Sequence, residues 1–539
     1  MSWKIRTYPA TMMSTPNNAG EWKKRSVVSC FLLKLDGGQP RVALFQRSEK
    51  VSTYRHHLAP ISGTVDAADA SPLAAAWREL AEETTLTPAS LSLLRQGKDY
   101  TFRDASVRRE WTVYPFLFRL QTPADEQRIR IDWEHEGWAW HDPGAVIKDD
   151  GSGGLNGVPR LAESLRRVWF EADLGPAAGR VLSDGLEALA HDHESGARQL
   201  ADAALQTLRG VISGMNEQDR AQDDWWVAVR FVAWHLWKNG RESMGAAIMS
   251  ALVAALAGIE RVLERDQHAD QRRDAALREL DAQVATRRES AELISRAFAA
   301  YLEKTFGSKR DPHEPISILT LSESSTIRQA LRYAALESGF PLHFHILESR
   351  PLYEGVSLAG HLAEDLSAAP SGTARTHQMT LYTDASAALA SSDVDLVVLG
   401  ADRIAASGAV SNKTGSLPTV LSAKYVSPTA HVVVLAESSK VAPPGRPEDH
   451  VVEDNDPSQV RQAWQAEHNK ARVREAVKDV ESPDHNRAIK IEIRNVFFEW
   501  VSERLIDTYV TESGEWTVQQ IADHSAKLEI EEKRFFGAL

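Results

Sequence analysis

The sequence predicts a mixed α/β protein of several domains, in which an N-terminal α+β domain and a helical middle domain precede a doubly wound parallel sheet. Three observations support this fold class. Between residues 25 and 142, short apolar strands and turns surround one strong helix. Between about 158 and 305, almost every segment has the helical period. From 312 onward, apolar strands alternate with helices, as in parallel sheets with right-handed crossovers.

The length of the chain indicates more than one core. Its 539 residues exceed the usual size of a single domain. A stretch rich in glycine and polar residues, 149–157, has the composition of a linker. We therefore predict four parts, which are an N-terminal domain (1–148), a linker with a connecting helix (149–194), a helical domain (195–311) and a sheet domain (312–539).

The composition restricts the partners and the compartment. A formal charge of −13 argues against direct nucleic-acid binding, which needs clustered Lys and Arg. Cys30 is the single cysteine, so no internal disulfide forms, and a reducing compartment is expected. The longest apolar run, around Ala246–Ile259, is shorter than a membrane span, and the first residues lack an apolar core. These features predict a cytoplasmic protein without a membrane partner.

The elements of the N-terminal domain follow from alternation and turn residues. Asp36-Gly37-Gly38 is typical of a hairpin turn. Ser71 and Pro72 favour the start of a helix, as an N-cap hydroxyl and a residue suited to the first turn. The predicted elements are strands Val27–Leu35, Val42–Gln46, Glu110–Leu120 and Ile129–Trp140 and a helix Ser71–Thr84.

One helix carries a group of carboxylates. Glu79, Glu82 and Glu83 recur at spacings of three and four, so they share a helix face opposite the apolar one. Carboxylates held this closely repel one another unless a cation lies among them. Oxygen ligands suit Mg²⁺ or Mn²⁺, which commonly bind substrate phosphates as well. The alternative is an ordinary solvated helix.

This region, roughly residues 25 to 145, resembles the Nudix box of nucleoside-diphosphate-linked hydrolases. Gly63 and Arg78-Glu79-Leu80-Ala81-Glu82-Glu83 match its pattern, and Leu86 supplies the last aliphatic residue. The chain departs from the pattern at three points. Asp69 stands where the first glutamate belongs, eight rather than seven residues separate it from Arg78, and Thr85 replaces a glycine.

The resemblance implies an α+β Nudix fold and a metal-dependent cleavage of a diphosphate linkage. It implies that Glu79, Glu82 and Glu83 hold the metal and that Arg78 orients these carboxylates. The stretch Trp133–Trp140 looks like the late strand of the family, where Glu134 or Glu136 is a candidate for a further ligand or base. Bound Mg²⁺ or Mn²⁺ polarises a phosphate and helps water to attack it.

The helical and C-terminal parts are predicted from periodicity and short apolar runs. The helical stretches are Ala197–Met215, Asp224–Asn239, Met244–Asp266 and Arg273–Phe306. The strands that follow are Ile316–Leu321, Leu342–Leu347, Met379–Tyr382, Leu396–Leu399 and His431–Leu435. Open sheets of this kind bind ligands beyond the carboxyl ends of their strands.

Polar residues lie beyond several of these strands. Arg350 follows one strand and has the planar guanidinium that grips phosphate with two hydrogen bonds. Asp402 follows another, Asn412 offers amide contacts to sugar hydroxyls, and Lys413 adds positive charge. Together they suit a phosphorylated polyol. The alternative is structural, with Asp402 paired to Arg403 and Asn412 capping the next helix.

From about residue 195 to 535 the chain resembles a family of initiation factors and isomerases. That family contains the alpha, beta and delta subunits of translation initiation factor 2B, methylthioribose-1-phosphate isomerase and ribose-1,5-bisphosphate isomerase. The residues that carry the resemblance are Ile318–Ser322, Glu348–Pro351, Gly400–Ile404, Asn412–Ser416, Leu505–Gly514 and, in the helical domain, Asn239–Ser243. It implies a Rossmann-like sheet, a dimer through the C-terminal domain, and Arg241 as a further contact in the same cleft.

The resemblance also implies a catalytic pair in the isomerases. Their loop after the first strand carries a cysteine, and the aspartate of the Gly-Ala-Asp motif is its partner in proton transfer. In this chain Ser322 stands at the cysteine position and Asp402 at the aspartate. A hydroxyl is a poorer acid than a thiol near neutral pH, so isomerisation would need Ser322 or Glu323 to transfer the proton.

The sequence therefore predicts a nucleotide or sugar-phosphate protein, with three functions left open. The first is a Mg²⁺-dependent hydrolase of a nucleoside-diphosphate-linked substrate, fused to a domain that binds a sugar phosphate. The second is a non-catalytic regulatory subunit like those of initiation factor 2B. The third is an aldose-1-phosphate isomerase that uses Ser322 and Asp402.

Overall fold

The computed structural model describes residues 22–149, 154–192, 195–215, 222–241, 244–265, 269–311, 313–368, 376–445, 455–465 and 493–539. Some predictions concern residues outside these ranges, namely 1–21, linker residues 150–153, Glu242-Ser243, Asp266 and Pro312. The chain divides into two compact units, Met1–Phe170 and Glu171–Leu539. The predicted division into four parts stays a prediction, whereas the mixed α/β class is confirmed.

The first unit is built on a mixed sheet of seven strands. These are β1 (Lys23–Asp36), β2 (Gln39–Arg47), β3 (Leu58–Ala59), β4 (Leu91–Gln96), β5 (Tyr100–Asp104), β6 (Arg109–Leu120) and β7 (His135–His141). The order is β3-β2-β1-β6-β4, with β5 paired to β6 and β7 paired to β2. β1 and β6 are parallel, and the other neighbours are antiparallel. The hairpin between β1 and β2 turns at Gly37 and Gly38, both with positive φ, as predicted.

Three helices pack on this sheet, namely α1 (Pro72–Thr84), α2 (Pro143–Lys148) and α3 (Leu161–Arg166). One apolar cluster lies between α1 and the sheet, and a second involves α2 and α3. The predicted cap of α1 is present, because the Ala74 N–H donates to Ser71 Oγ at 3.1 Å. The helix ends at Thr85, which has the left-handed φ of +63° that usually favours glycine.

The strand predicted for Ile129–Trp140 begins later than expected. β7 starts at His135, and a 3₁₀ turn occupies Pro123–Arg128. The Glu134 N–H donates to Asp132 Oδ1 at 2.9 Å, so a local turn stabilised by Asp132 replaces the first half of the strand. This turn places Asp132, Glu134 and His135 close together, ahead of β7.

The second unit begins with six α-helices among the residues that the structure describes up to 306. They are α4 (Glu171–Leu174), α5 (Pro176–His191), α6 (Ala197–Gly214), α7 (Gln222–Asn239), α8 (Gly245–Arg265) and α9 (Ala269–Phe306). α8 is longer than the apolar run of the sequence suggested. It is the one helix in the described ranges that is long and apolar enough to cross a bilayer, but 72% of its apolar window is buried inside the protein. It is therefore a core helix of this unit.

The rest of the second unit contains ten strands and six helices in the ranges that the structure describes. They are β8 (Ile316–Leu321), α10 (Ser325–Glu337), β9 (Leu342–Leu347), α11 (Glu354–Ser367), β10 (Gln378–Tyr382), α12 (Ala387–Ala390), β11 (Leu396–Leu399), β12 (Arg403–Ile404), β13 (Val410–Lys413), α13 (Ser416–Val426), β14 (His431–Leu435), α14 (Pro457–Gln465), β15 (Phe498–Val501), β16 (Thr508–Thr511), β17 (Gly514–Trp516) and α15 (Val518–Phe536).

The main sheet of this unit has the order β10-β9-β8-β11-β14-β16-β17. All of its strands are parallel except β17. Alternate residues of β8 enter different cores, with Ile316 and Ile318 among α9, α10 and α11. Leu319 and Leu321 instead join a cluster that contains residues of α12, α13 and α15. A small antiparallel sheet, β12-β13-β15, lies beyond β11 and was not predicted.

Candidate functional sites

In the first unit, the carboxylate helix borders a cavity of about 500 Å³. Glu79 and Glu83 line it from α1, and Glu134 lines it from the turn before β7. Glu82 does not line it. The Glu82 side chain is 60% exposed, and its Oε2 lies 3.3 Å from Arg78 Nη1. The structure therefore brings together two of the three predicted metal ligands, together with Glu134 but not Glu136.

Arg78 links Asp69, which precedes α1, to the carboxylate of Glu79 on that helix. Its Nε and Nη2 donate to the two oxygens of Asp69 at 3.1 and 2.9 Å, and Nη1 donates to Glu79 Oε1 at 2.7 Å. Hydrogen bonds from Arg78 lower the pKa of Asp69. Asp69, which departs from the Nudix pattern, thus orients the arginine. Arg78 in turn holds Glu79, as the resemblance implies.

Glu79 and Glu83 are both buried, and each carboxyl group affects the pKa of the other. Burial, together with the nearby Glu134 and Glu79, raises the pKa of Glu83 to about 10. Burial also raises the pKa of Glu79 and of Glu134. Without a cation, carboxyl groups in such a place retain protons, because a charged pair would be both desolvated and mutually repulsive.

These residues fit a hard divalent cation as an incomplete ligand set. Across the described ranges, no group of three or more His, Cys, Asp or Glu side chains is arranged to hold a metal ion. Mg²⁺, however, is commonly held by one or two carboxylates, with waters and substrate phosphates completing its shell. Glu79 and Glu83 supply two such carboxylates, and both offer only oxygen atoms.

The remainder of the cavity wall is basic and aromatic. Arg25, Arg47 and Arg109 line it, as do four aromatic residues, which are Tyr54, Tyr100, Phe102 and Trp111. Burial lowers the pKa of Arg47. Tyr100 and Phe102 stack with ring centroids 6.0 Å apart, and Arg109 lies 5.1 Å from the centre of the Trp111 ring. Sequence patterns alone did not single out these residues, because they come from four separate segments.

Gly63 provides a test of the carboxylate geometry. A Cβ at this position would overlap the carboxyl group of Glu79, so the glycine allows Glu79 to lie against the backbone. We expect Gly63→Ala to displace Glu79 and to weaken Mn²⁺ binding at least about tenfold, as losing the support of a ligand commonly does. The overlap involves only the end of a flexible side chain, so the fold should persist. The matched control is Gly137→Ala, where a Cβ meets open space. Equal affinities for the two variants, measured by calorimetry, would contradict this geometry.

The second unit contains a larger cavity, of about 1330 Å³. Ser322 lines it directly after β8, and Asp402 lines it after β11. In the order of the main sheet, β8 and β11 are neighbours, and the chain proceeds outward from them in opposite directions. This is the switch point at which open α/β sheets bind ligands. Arg241, Asn412 and Lys413 line the same cavity.

Lys413 is a largely buried cation in the wall of this cavity. Its Nζ lies 2.7 Å from Glu354 Oε1 and 4.1 Å from the centre of the Phe497 ring. The lysine side chain is 11% exposed. Burial raises the pKa of Glu354, whereas Lys413 opposes the rise. Lys440 also lines the cavity and donates through Nζ to the Ala401 carbonyl. Sequence reasoning missed Glu354 and Lys440.

Ser322 and Asn412 are held by their neighbours. Ser322 has a left-handed φ of +65°, and its N–H donates to Ser349 Oγ at 2.7 Å. A serine with this backbone is unusual and is typical of functional loops. Asn412 Nδ2 donates to Ser416 Oγ at 2.8 Å, so it contacts the first turn of α13 as the structural alternative predicted, while still lining the cavity.

Arg350 is not among the residues that line this cavity. Its side chain is 45% exposed, and its Nε donates to Glu348 Oε1 at 2.8 Å. Its predicted contact with a phosphate stays a prediction. Glu323 does line the cavity, and its Oε1 lies 2.6 Å from His361 Nδ1.

Glu499 of β15 supports the turn between β13, which carries Asn412 and Lys413, and α13. Glu499 Oε1 accepts hydrogen bonds from the N–H groups of Gly415 at 2.6 Å and Leu417 at 3.1 Å, at the start of α13. We expect Glu499→Ala to lower the free energy of unfolding by about 1–2 kcal/mol, as losing a helix N-cap does. Glu515→Ala, which removes only a surface ion pair with Lys304, should change it by less than about 0.5 kcal/mol. Chemical denaturation measures both. Equal effects would show that Glu499 does not act as a cap.

Two protein families match the chain, one in each of its two compact units. The Initiation factor 2 subunit family matches residues 193–518, more than half of the chain. The chain belongs to this family. A NUDIX domain matches residues 23–161. Both resemblances are therefore confirmed. In this member of the family, a NUDIX domain precedes the family region.

Curated relatives match parts of the chain. Methylthioribose-1-phosphate isomerase of Brucella anthropi is 29% identical over 128 residues, which are 22% of this chain and 33% of that protein. The enzyme of the same name from Desulfatibacillum aliphaticivorans is 29% identical over 185 residues, 34% of this chain and 45% of that protein. The chain therefore spans a third to just under half of the length of these relatives.

Solved structures of family members are also similar. The translation initiation factor eIF-2B of Pyrococcus horikoshii OT3 has 20% identity and a TM-score of 0.41, and the match covers 62% of this chain and 96% of that one. The 5-methylthioribose 1-phosphate isomerase of the same organism has 16% identity and a TM-score of 0.44, over 65% and 87% of the two chains. Scores this low add nothing to the family assignment.

Proposed function

We propose that the first unit is a hydrolase of a nucleoside-diphosphate-linked substrate that depends on Mg²⁺ or Mn²⁺. The observation that carries this proposal is the buried pair of Glu79 and Glu83 in a cavity that arginines and aromatic rings also line. A dication would offset the burial and the repulsion between carboxylates that together raise the pKa of Glu83. The proposal explains why these two carboxylates are buried, whereas those of an ordinary surface helix would be exposed to solvent.

Each residue of the first cavity has a role in this proposal. Glu79 and Glu83 bind the cation, and Arg78 holds Glu79. Glu82 stays the third proposed ligand, and it must turn away from Arg78 to serve. A bound dication polarises a bridging phosphate and assists attack by water. Arg47 and Arg109 offer guanidinium groups for phosphate, and Trp111 offers a ring face on which a base can stack.

We propose that the second unit binds a ribose or nucleoside phosphate at the switch point of its sheet. In this proposal Lys413 and Arg241 attract the phosphate, Asp402 and Asn412 bind sugar hydroxyls, and Arg350 contributes from outside the present lining. We also propose that this sheet is doubly wound and Rossmann-like. A homodimer through the C-terminal domain and a cytoplasmic location are part of the same proposal.

A second candidate function is aldose-1-phosphate isomerisation. The observation that favours it is that Ser322 and Asp402 line one cavity, after neighbouring strands. The similar curated proteins are methylthioribose-1-phosphate isomerases. The serine at position 322 argues against isomerase activity, since its hydroxyl ionises far less readily than the thiol of a cysteine. If the Ser322 site does not convert its ligand, the domain is a regulatory or assembly subunit that binds the same ligand.

One screen separates these functions. The purified protein is incubated with nucleoside diphosphate sugars, dinucleotides, sugar monophosphates and sugar bisphosphates, with Mg²⁺ and with a chelator, and products are identified by mass spectrometry. Cleavage products that need Mg²⁺ support the hydrolase. Conversion of a sugar phosphate to an isomer of equal mass, resolved by chromatography, supports the isomerase. Tight binding of a sugar phosphate without turnover supports the regulatory subunit.

A further inference from the structure

His135 lies buried beside the carboxylate pair of the first unit. It is 6% exposed at the start of β7, and its ring packs edge-on against Phe45, with centroids 5.3 Å apart. Neither ring nitrogen has a hydrogen-bond partner. A buried imidazole without partners costs free energy, so its presence needs an explanation.

The surroundings of His135 suggest what its nitrogens do. Nε2 lies 3.6 Å from Glu83 Oε2, and Nδ1 lies 3.5 Å from Asp132 Oδ1. Both distances exceed a hydrogen bond by only a few tenths of an ångström. A small rotation of either carboxyl group would therefore close the contact. Asp132 is itself held in place, because its Oδ1 accepts the N–H of Glu134 at 2.9 Å.

We propose that His135 is a positioning residue, whose Nε2–H donates to the Glu83 carboxylate and holds it in one orientation for a divalent cation. This inference rests on the proposed function of the first unit. His135 does not line the cavity, so it acts through Glu83 and does not touch the substrate. Residues that orient a metal ligand from behind commonly change metal affinity about 10- to 100-fold when they are replaced.

Three substitutions separate positioning from packing. His135→Phe keeps a flat ring against Phe45 but removes both nitrogens. His135→Asn keeps an amide near the place of Nδ1, facing Asp132, and loses the reach to Glu83. His135→Gln extends an amide to the place of Nε2, within reach of Glu83. If His135 only fills space, the phenylalanine variant should be the least affected of the three.

The readout is the affinity for Mn²⁺ of the full-length protein without substrate, from the paramagnetic resonance signal of free Mn²⁺. We expect the Phe and Asn variants to bind about 10- to 100-fold more weakly and the Gln variant to recover most of the loss. His141→Gln is the matched control, because His141 lies on the same strand, also has a buried nitrogen without a partner and does not line the cavity.

The outcomes are distinguishable. Phe and Asn variants that bind Mn²⁺ like the parent would overturn the positioning role and leave the proposed function intact. A Gln variant as weak as the Phe variant would also overturn it, since the polar contact would then not be what matters. A parent protein that does not bind Mn²⁺ would overturn the proposed function itself. If the Phe variant fails to fold, the Asn variant gives the same test, and its unchanged affinity would count against the inference.

Discussion

Replacing Glu82 and Glu83 together by glutamine is expected to lower kcat/KM for Mg²⁺-dependent hydrolysis at least about a thousandfold. A bound dication contributes several kcal/mol to stabilising the charge of the transition state, and each 1.4 kcal/mol or so corresponds to a factor of ten. The fold should persist. Glutamine has the shape of the protonated carboxyl group that the raised pKa of Glu83 favours, and the Glu82 contact with Arg78 is largely exposed.

The matched control for this variant is Glu110→Gln with Glu126→Gln. Both control residues are ion-paired in the same unit, to Arg103 and Lys34, and neither lines the cavity. Rates are measured with the substrate that the screen identifies, and melting temperatures verify the fold. A double variant that hydrolyses as fast as the parent protein would refute the assignment of the carboxylates.

The single variants refine this prediction. Glu83 lies in the cavity wall, whereas Glu82 faces solvent. Glu83→Gln should therefore account for most of the loss, and Glu82→Gln for less. An equal loss from both would mean that Glu82 turns inward when the cation binds. The two outcomes distinguish a two-carboxylate site from the three-carboxylate site that the sequence predicted.

The orientation of Glu82 shows what helical spacing alone could not predict about the site. Residues three or four apart on a helix are neighbours, which correctly grouped Glu79 with Glu83. Adjacent residues, however, diverge by about 100° around the helix axis, because there are 3.6 residues per turn. Glu82 and Glu83 therefore point in different directions, and only Glu83 lines the cavity in this structure. Periodicity predicted the carboxylate face, but it could not show which member points inward.

Long-range pairing explains what the sequence could not show. The cap of α1, the hairpin at Gly37-Gly38 and the strands of the C-terminal sheet are local patterns, and they were predictable. The partners of His135 and Lys413 lie 52 and 59 positions away in the sequence, at Glu83 and Glu354. No periodicity connects such residues. Only the sheet order brings them together.

Part of the second cavity was nevertheless predictable. The rule that ligands bind beyond the carboxyl ends of parallel strands directed attention to Asp402, and β11 does end just before it. Asn412 and Lys413 are found in the same cavity, although they belong to an edge sheet that was not predicted. Arg350 met the same criterion from sequence, but its backbone N–H is held by Asp384 and its side chain by Glu348. Position after a strand therefore indicates a candidate residue for such a site, but it is not sufficient.

Removing the charge of Lys413 is expected to weaken the binding of a ribose phosphate about ten- to a hundredfold. A hydrogen bond to a charged group contributes about 1.5–3 kcal/mol, which corresponds to this range of affinity. Lys413→Met keeps the apolar stem against Phe497 and removes the ammonium group. Asp402→Ala should lower the affinity as well, through lost contacts to the sugar hydroxyls. Calorimetric titration with ribose 1-phosphate and ribose 5-phosphate, at fixed ionic strength, measures both losses.

Lys424→Met is the matched control for the loss of Lys413, because Lys424 also pairs with a carboxylate, Asp507 at 2.6 Å, but does not line the cavity. Its affinity for the sugar phosphates should equal that of the parent protein. Removing Lys413 also leaves Glu354 without its cation, and this carboxyl group already has a raised pKa through burial. Glu354→Gln in the Lys413→Met background separates the two effects. If the double variant still binds weakly, the ammonium group itself contacts the phosphate. If neither Lys413→Met nor Asp402→Ala changes the affinity, the switch point of this sheet is not the ligand site.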